Sequence, residues 1–293
     1  MRNDYKHLKH LVQKEKRKSY WHYTKCISTI TAPDIKPNPK KLFSFLKATR
    51  KETTVVPPLK HQGKTSNDTI DKANALNNQF QSVFTEDSEN IMPEIGGKRY
   101  NTMNDINITL NGVTKLLKDL NPNKASGPDE LTPRILKELH EEIAPAVTFV
   151  FQKSLNLGQT PIDWKHAYVC PIFKKGARHE PANYRPVSLT CILCKLMEHI
   201  IVSNVMKHLE NNEALTKFQH GFRSKRSCEI QLIELRQDIT STMDSKMQTD
   251  TIVLDFAKAF DKVSHPRLLH KLRHYGIKGK HNQWITAFLE SRT

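Results

Sequence analysis

The stretch TIVLDFAKAFDKVSHPRLLHKL, residues 251 to 272, sets a carboxylate, Asp255, at the end of an apolar run. TIVLDF reads as a strand, and the residues after it as the start of a helix. A strand end fixes the backbone and opens to solvent, which is where α/β and α+β enzymes commonly present a reactive group. Asp255 is therefore a candidate metal ligand; the competing reading is a turn former or helix cap. Asp261 is expected to be structural, because a helix between the two acids would turn it away from any site at Asp255.

Three further stretches carry chemistry-bearing side chains. HAYVCPIFKKG, residues 166 to 176, alternates as a short strand and reaches a basic turn with Lys174 and Lys175, and NYRPVSLT, with Arg185, follows as a return segment. Cations on such a turn suit an anion or are simply solvated. FQHGFRSKRSC holds Gln219, Gly221, Phe222 and Arg223, where Gly221 permits close approach of backbone to a ligand or serves a turn. Cys191 and Cys194 form a lone CxxC on an apolar helical stripe. With no second Cys or Cys/His pair they read as buried thiols, not zinc ligands.

The elements that must position these groups are mostly helical. Thr132 can cap a helix opened by Pro133, with Ile135, Leu136, Leu139, Ile143, Val147, Val150, Phe151 and Leu155 facing a core until Gly158. A second long helix is expected from Ser188 to Leu209, and another over EIQLIELRQDITSTM. Upstream, residues 1 to 51 suggest two short basic helices bearing Tyr20, Trp21, Tyr23, Leu42, Phe43, Phe45 and Leu46, either lying on a phosphate backbone or forming a solvated linker. Residues 52 to 68 and 85 to 101 lack periodicity and read as flexible connections flanking a helix at 72 to 84.

Composition narrows the partners. The 293 residues carry a formal charge of +16, a balance that favours polyanions, nucleic acid first among them. Five cysteines without a signal peptide suggest a reducing, intracellular setting, nucleus or cytoplasm. No apolar stretch is long enough to expect a membrane span.

NKASGPDELTPRILK, FKKGARHEPANYRPVSLTCILCKLMEHII, FQHGFRSKRSC and VLDFAKAFDKVSHPRLLHKLRHYGI resemble, in order, the fingers and palm blocks of reverse transcriptases from non-LTR, LINE-like retrotransposons, especially the jockey-like group. The resemblance implies an α+β fold: a partial right-hand polymerase, fingers and the beginning of the palm, over residues 107 to 293. A basic helical linker joining endonuclease to polymerase would occupy residues 1 to 106. It implies that Asp255 is the first palm carboxylate, binding two magnesium ions with help from the Phe256 carbonyl. Phe260 would be the steric gate that crowds a ribose 2′ hydroxyl, the alternative being a core aromatic. Arg185, with Lys174 and Lys175, would contact the incoming triphosphate, and Gln219, Gly221, Phe222 and Arg223 would lie against the template. The implied partners are an RNA template, a DNA primer and deoxynucleoside triphosphates.

The family's paired carboxylates lie in a YADD-like hairpin downstream of the first Asp, and no such tetrapeptide occurs in these 293 residues, which stop at FLESRT. The expectation is therefore a polymerase fragment without its second palm carboxylate motif, inactive alone. The rival expectations are a noncatalytic nucleic-acid-binding remnant and an interaction protein whose palm edge pairs with another chain.

Overall fold

The computed structural model describes residues 10–22, 56–61, 63–84 and 92–292. The chain divides into two units, Met1–Val56 and Pro57–Thr293. In the first, residues 10–22 form an exposed helix, α1, in which Lys18 pairs with Glu15 at 2.8 Å and Tyr20 meets Trp21 edge to face. The second expected basic helix, with Leu42 to Leu46, lies outside the described residues, as does Cys26.

The second unit opens with a small antiparallel hairpin, β1 (Leu59–His61) and β2 (Lys64–Ser66), followed by α2 (Thr69–Gln81). Asp68 caps α2 by accepting from the N–H groups of Ile70 and Asp71. Leu59, Ala75 and Leu76 are buried, so residues 56–61 and 63–68 are folded where a flexible connection was expected over 52 to 68, the rest of which lies outside the described residues. The packing also draws its boundary at Val56/Pro57, upstream of the 106/107 boundary expected from sequence: Met103 and Ile106 sit in the main core, and the Met103 N–H donates to the Gly276 carbonyl at 2.9 Å.

Helices build most of that core. They are α3 (Leu110–Lys118), α4 (Pro133–Glu138), α5 (His140–Leu157), α6 (Ile192–Asn211), α7 (Cys228–Asp244), α8 (His265–His274) and α9 (Gly279–Leu289). Thr109, Thr132, Ser227 and Ser264 cap α3, α4, α7 and α8 through their side-chain oxygens. The single helix expected from Pro133 is two. The His140 ring takes the Lys137 carbonyl at 2.8 Å, the acceptor that a continuous helix would give to a backbone N–H. Ile135, Leu139 and Val150 are exposed, and Leu136, Ala144, Val147, Phe151 and Leu155 are inside.

The second sheet among the described residues is an antiparallel pair, β3 (Ala167–Phe173) and β4 (Tyr184–Thr190), as the alternating first segment and its return lead one to expect. Ser188 to Thr190 belong to β4, so α6 starts later than expected, with Cys191 at its N-cap position but making no side-chain capping bond. Cys191 and Cys194 are buried free thiols. A Cβ on Gly127 would come within 2.4 Å of the Cys191 backbone nitrogen, so only glycine lets the SGPD turn lie against this strand-to-helix junction. The chain is thus α+β, helix-rich with few strands.

Residues 251 to 256, expected as a strand, are irregular, with Ile252, Val253, Leu254 and Phe256 more than four-fifths exposed. Strand state depends on a partner to complete the hydrogen-bond ladder, and no described strand lies beside this run. Residues 257 to 262 form a turn instead of a helix, with Lys258 in the left-handed region at φ 55°.

Trp284 ties α9 to α5: its Nε1–H donates to Ser154 Oγ at 2.9 Å. Nearby, the Ile106 N–H donates to His281 Nε2 at 3.4 Å, and that ring is 3% exposed. Burial pushes the His281 pKa below its ordinary 6.5; Lys280 adds to this, while Asp105 opposes it. The unfolded chain therefore takes up the proton first, so the stability contributed by the neutral ring is complete above pH 6.5 and is lost as pH falls below it. His281→Gln, which keeps a side-chain acceptor, is expected to show a smaller drop in Tm than the wild type between neutral and mildly acid buffer. Equal drops would contradict this assignment. In the loop joining β3 to β4, Gly176 has φ 89° and a Cβ there would meet Asn183 Nδ2 at 2.7 Å. Gly176→Ala is expected to destabilise the loop by about 1 kcal/mol or more and to speed hydrogen exchange at the Lys174 and Asn183 amides, whereas unchanged exchange would show that the loop is not held by this turn.

Candidate nucleotide and nucleic-acid site

The β3–β4 register sets Ile172 opposite Arg185 and Phe173 opposite Tyr184, and the Lys174 N–H donates to the Asn183 carbonyl at 2.9 Å to close the ladder. Lys174 and Arg185 therefore leave the same end of one hairpin. The loop between them is tied down at several points. Asn183 Nδ2 donates to the Ala177 carbonyl at 2.9 Å, and the Tyr184 hydroxyl donates to the Arg178 carbonyl at 2.7 Å. Burial raises the Tyr184 pKa, which keeps that hydroxyl a donor. Arg178 lies over the Phe173 ring at 5.0 Å, and Phe173 meets Tyr184 edge to face. From upstream, the Lys60 N–H donates to the His179 carbonyl at 2.8 Å, and α2 packs on the Pro181–Asn183 turn. The β1–α2 segment thus braces the basic loop from its far side.

This hairpin end meets the 255–261 turn across a cavity of about 500 Å³, lined by Lys174, Arg185, Asp255, Phe256, Lys258, Phe260 and Asp261 among others. Of the residues singled out from sequence, Lys174, Arg185, Asp255, Phe256 and Phe260 come together here. Lys175 is exposed and stands outside the lining. Asp261 corrects the sequence reading: without a helix between them, both acids face one cavity. Lys258 was missed, because in the sequence it is one more lysine between two alanines. The lining holds three cations and two carboxylates, a mixed field suited to a polyphosphate that arrives with a divalent cation.

Gln219, Gly221, Phe222 and Arg223 lie apart from the cavity lining, on the loop between α6 and α7. The loop holds itself in shape. Gln219 Nε2 donates to the Gly221 carbonyl at 3.2 Å, and Arg223 Nη1 donates to the Thr216 carbonyl at 3.0 Å, with Glu210 at 3.9 Å from its Nε. The Arg223 side chain is therefore turned inward. Buried His220 pairs through Nε2 with Glu234 Oε2 at 2.9 Å, anchoring the loop to α7, and Arg226 reaches the other oxygen of Glu234 at 3.5 Å. Phe222 is exposed and touches Phe260 edge to face, with centroids 6.0 Å apart. That contact joins the loop to the cavity.

No cluster of three or more His, Cys, Asp and Glu residues capable of holding a metal is found among the described residues, and no helix among them is long and apolar enough to cross a membrane.

Residues 172–293 match the family described as reverse transcriptase (RNA-dependent DNA polymerase), a span that holds both the hairpin end and the 255–261 turn. The chain is 32% identical over 187 residues to the RNA-directed DNA polymerase from mobile element jockey of Drosophila melanogaster, covering 64% of this chain and 20% of that protein. It is 31% identical over 171 residues to the probable RNA-directed DNA polymerase from transposon X-element of the same fly, covering 58% and 19%. Over 142 residues it is 28% identical to a retrovirus-related Pol polyprotein from type-1 retrotransposable element R2 of Popillia japonica, covering 48% and 19%. The chain spans about one fifth of the length of these curated relatives. Residues 172–293 therefore match the reverse transcriptase family, and the chain is similar over 171 to 187 residues to RNA-directed DNA polymerases of two mobile elements.

Proposed function

We propose that this chain supplies the nucleotide-receiving part of an RNA-directed DNA polymerase, with fingers in the β3–β4 hairpin and the helices beside it and the first palm motif at Asp255. The observation that carries this reading is the single cavity shared by Lys174 and Arg185 with Asp255, Phe256 and Phe260, residues drawn from motifs far apart in sequence. In the proposed mechanism the Arg185 guanidinium offers a planar fork of donors to phosphate oxygens, and Lys174 and Lys258 add point charges to the same anion. The Phe260 ring would fill the space that a ribose 2′ hydroxyl needs, so a deoxyribose would seat and a ribose would clash. The RNA template would pass the Gln219 to Arg223 loop, and a DNA primer would bring its 3′ hydroxyl to the Asp255 side.

The carboxylates present suit magnesium. Asp255 and Asp261 line the cavity without a third acidic, His or Cys partner among the described residues, and magnesium takes one or two protein carboxylates together with substrate phosphates and water. Asp255, with the Phe256 carbonyl, would hold it. When bound, magnesium supplies charge neutralisation at the phosphates and lowers the pKa of a coordinated hydroxyl. In-line phosphoryl transfer needs nucleophile, phosphate and leaving group fixed together, and a YADD-like carboxylate pair is absent from the 293 residues. A polypeptide of this sequence alone is therefore expected to bind but not to extend a primer. That makes nucleic-acid binding without catalysis the second reading, favoured by the charge of +16. Its setting would be intracellular.

Two measurements test the proposal. Titration of the purified chain with a deoxynucleoside triphosphate in magnesium should show saturable binding that weakens about tenfold or more in Arg185→Ala, the loss expected when a charged phosphate contact is removed. Binding indifferent to Arg185 and Asp255→Ala would overturn the site. Affinity for single-stranded RNA should fall steeply with salt, because phosphate contacts release counterions; a flat salt response would remove nucleic acid as the partner. Template-dependent extension by the chain that vanishes in Asp255→Ala would show that another carboxylate, Asp261 first, completes the pair.

A further inference from the structure

Phe222 and Phe260 are 86% and 77% exposed, yet their rings meet edge to face at an interplanar angle of 85°. Such a pair gains little from burial, so its geometry must come from the segments that carry the rings. Those segments differ in how firmly they are held. Phe260 stands on the 257–262 turn, which follows an exposed, unpaired stretch and contains the Lys262 N–H to Lys258 carbonyl bond at 3.1 Å. Phe222 stands on a loop pinned by the Gln219, Arg223 and His220 contacts described above. Its own backbone is left-handed at φ 59°, a conformation that costs a bulky side chain about 1 kcal/mol or more unless its surroundings impose it. A Cβ on the preceding Gly221 would meet nothing within 4 Å, so the loop is not packed closely at that point. The loop's hydrogen bonds on either side hold Phe222 there and aim its ring at Phe260.

We infer that Phe222 is a positioning residue for sugar discrimination: its ring fixes the place of the Phe260 ring at the cavity wall, so the loop beside the template and the choice of sugar are mechanically joined. Phe222 makes no contact with the nucleotide; it limits where Phe260 can go. Without it, the Phe260 ring can swing about χ1 on an otherwise weakly held turn and open the space for a 2′ hydroxyl. A hydrophobic wall of this kind discriminates an added hydroxyl modestly, so the effect to be read is on the order of tenfold. The inference rests on the proposed nucleotide site.

The test compares dATP and ATP binding to the full chain in magnesium, by titration calorimetry or ligand-observed NMR, for wild type, Phe260→Ala, Phe222→Ala and Phe222→Tyr. The inference expects the wild type to prefer dATP by roughly tenfold, and expects both alanine variants to lose most of that preference through a gain in ATP affinity. Phe222→Tyr, which keeps the ring, should retain the preference. A ratio that collapses in Phe260→Ala and persists in Phe222→Ala overturns the inference and leaves the site intact. Collapse in Phe222→Tyr equal to that in Phe222→Ala also overturns it, since the ring would then not be the cause. Absence of any preference in the wild type, or no change in Phe260→Ala, overturns the site reading and this inference with it.

Discussion

The candidate site depends on the antiparallel ladder of β3 and β4. Its seven paired positions, closed by the bond from Lys174 N–H to the Asn183 carbonyl, hold Lys174 and Arg185 at one end with their backbones fixed relative to each other. A two-stranded hairpin alone is marginal in water. Here one end runs through the Gly127 contact into the buried start of α6, and the other is clamped by Tyr184, Asn183, Arg178 and the incoming Lys60 amide. Cations offered from such a frame lose little freedom on meeting an anion, which is what preorganisation contributes to binding.

The opposite wall of the cavity is built on a different principle. Asp255, Lys258, Phe260 and Asp261 sit on an irregular stretch with no ladder of its own, preceded by three exposed apolar side chains, Ile252, Val253 and Leu254. One wall is preorganised and the other is held by a turn and by the Phe222 contact. The two therefore serve different ends: the hairpin fixes charge, whereas the 255–261 turn can respond to what enters. Motion in a region with few buried contacts is the expected consequence of its sparse packing.

The hairpin was readable in the sequence because an alternating run, a basic turn and a return segment are all local signals, whereas its register was not. The local cap at Thr132 was equally open to reading from residue type. What escaped was set by groups distant in sequence or by side chains acting against pattern. The apolar run Ile252 to Leu254 has the composition of a strand, but pairing is a property of two segments, and one segment cannot disclose it. The His140 ring meets the Lys137 carbonyl where an otherwise continuous apolar stripe is split between two helices. The run AKAFDK has good helix formers, yet Lys258 adopts φ 55° and the run turns, which brings Asp261 to the site that sequence reasoning denied it. The Phe222–Phe260 contact joins two motifs that sequence presents as separate blocks.

The central claim is that the hairpin cations and the Asp255 turn form one nucleoside triphosphate site. Photo-crosslinking with 8-azido-dATP in magnesium, followed by mass spectrometric mapping of the labelled peptides, tests it most directly. The account predicts labelling confined to residues 174–186 and 255–261 and abolished by excess unlabelled dATP. Labelling spread over α1, α7 and other basic surface, or unaffected by competitor, would contradict it.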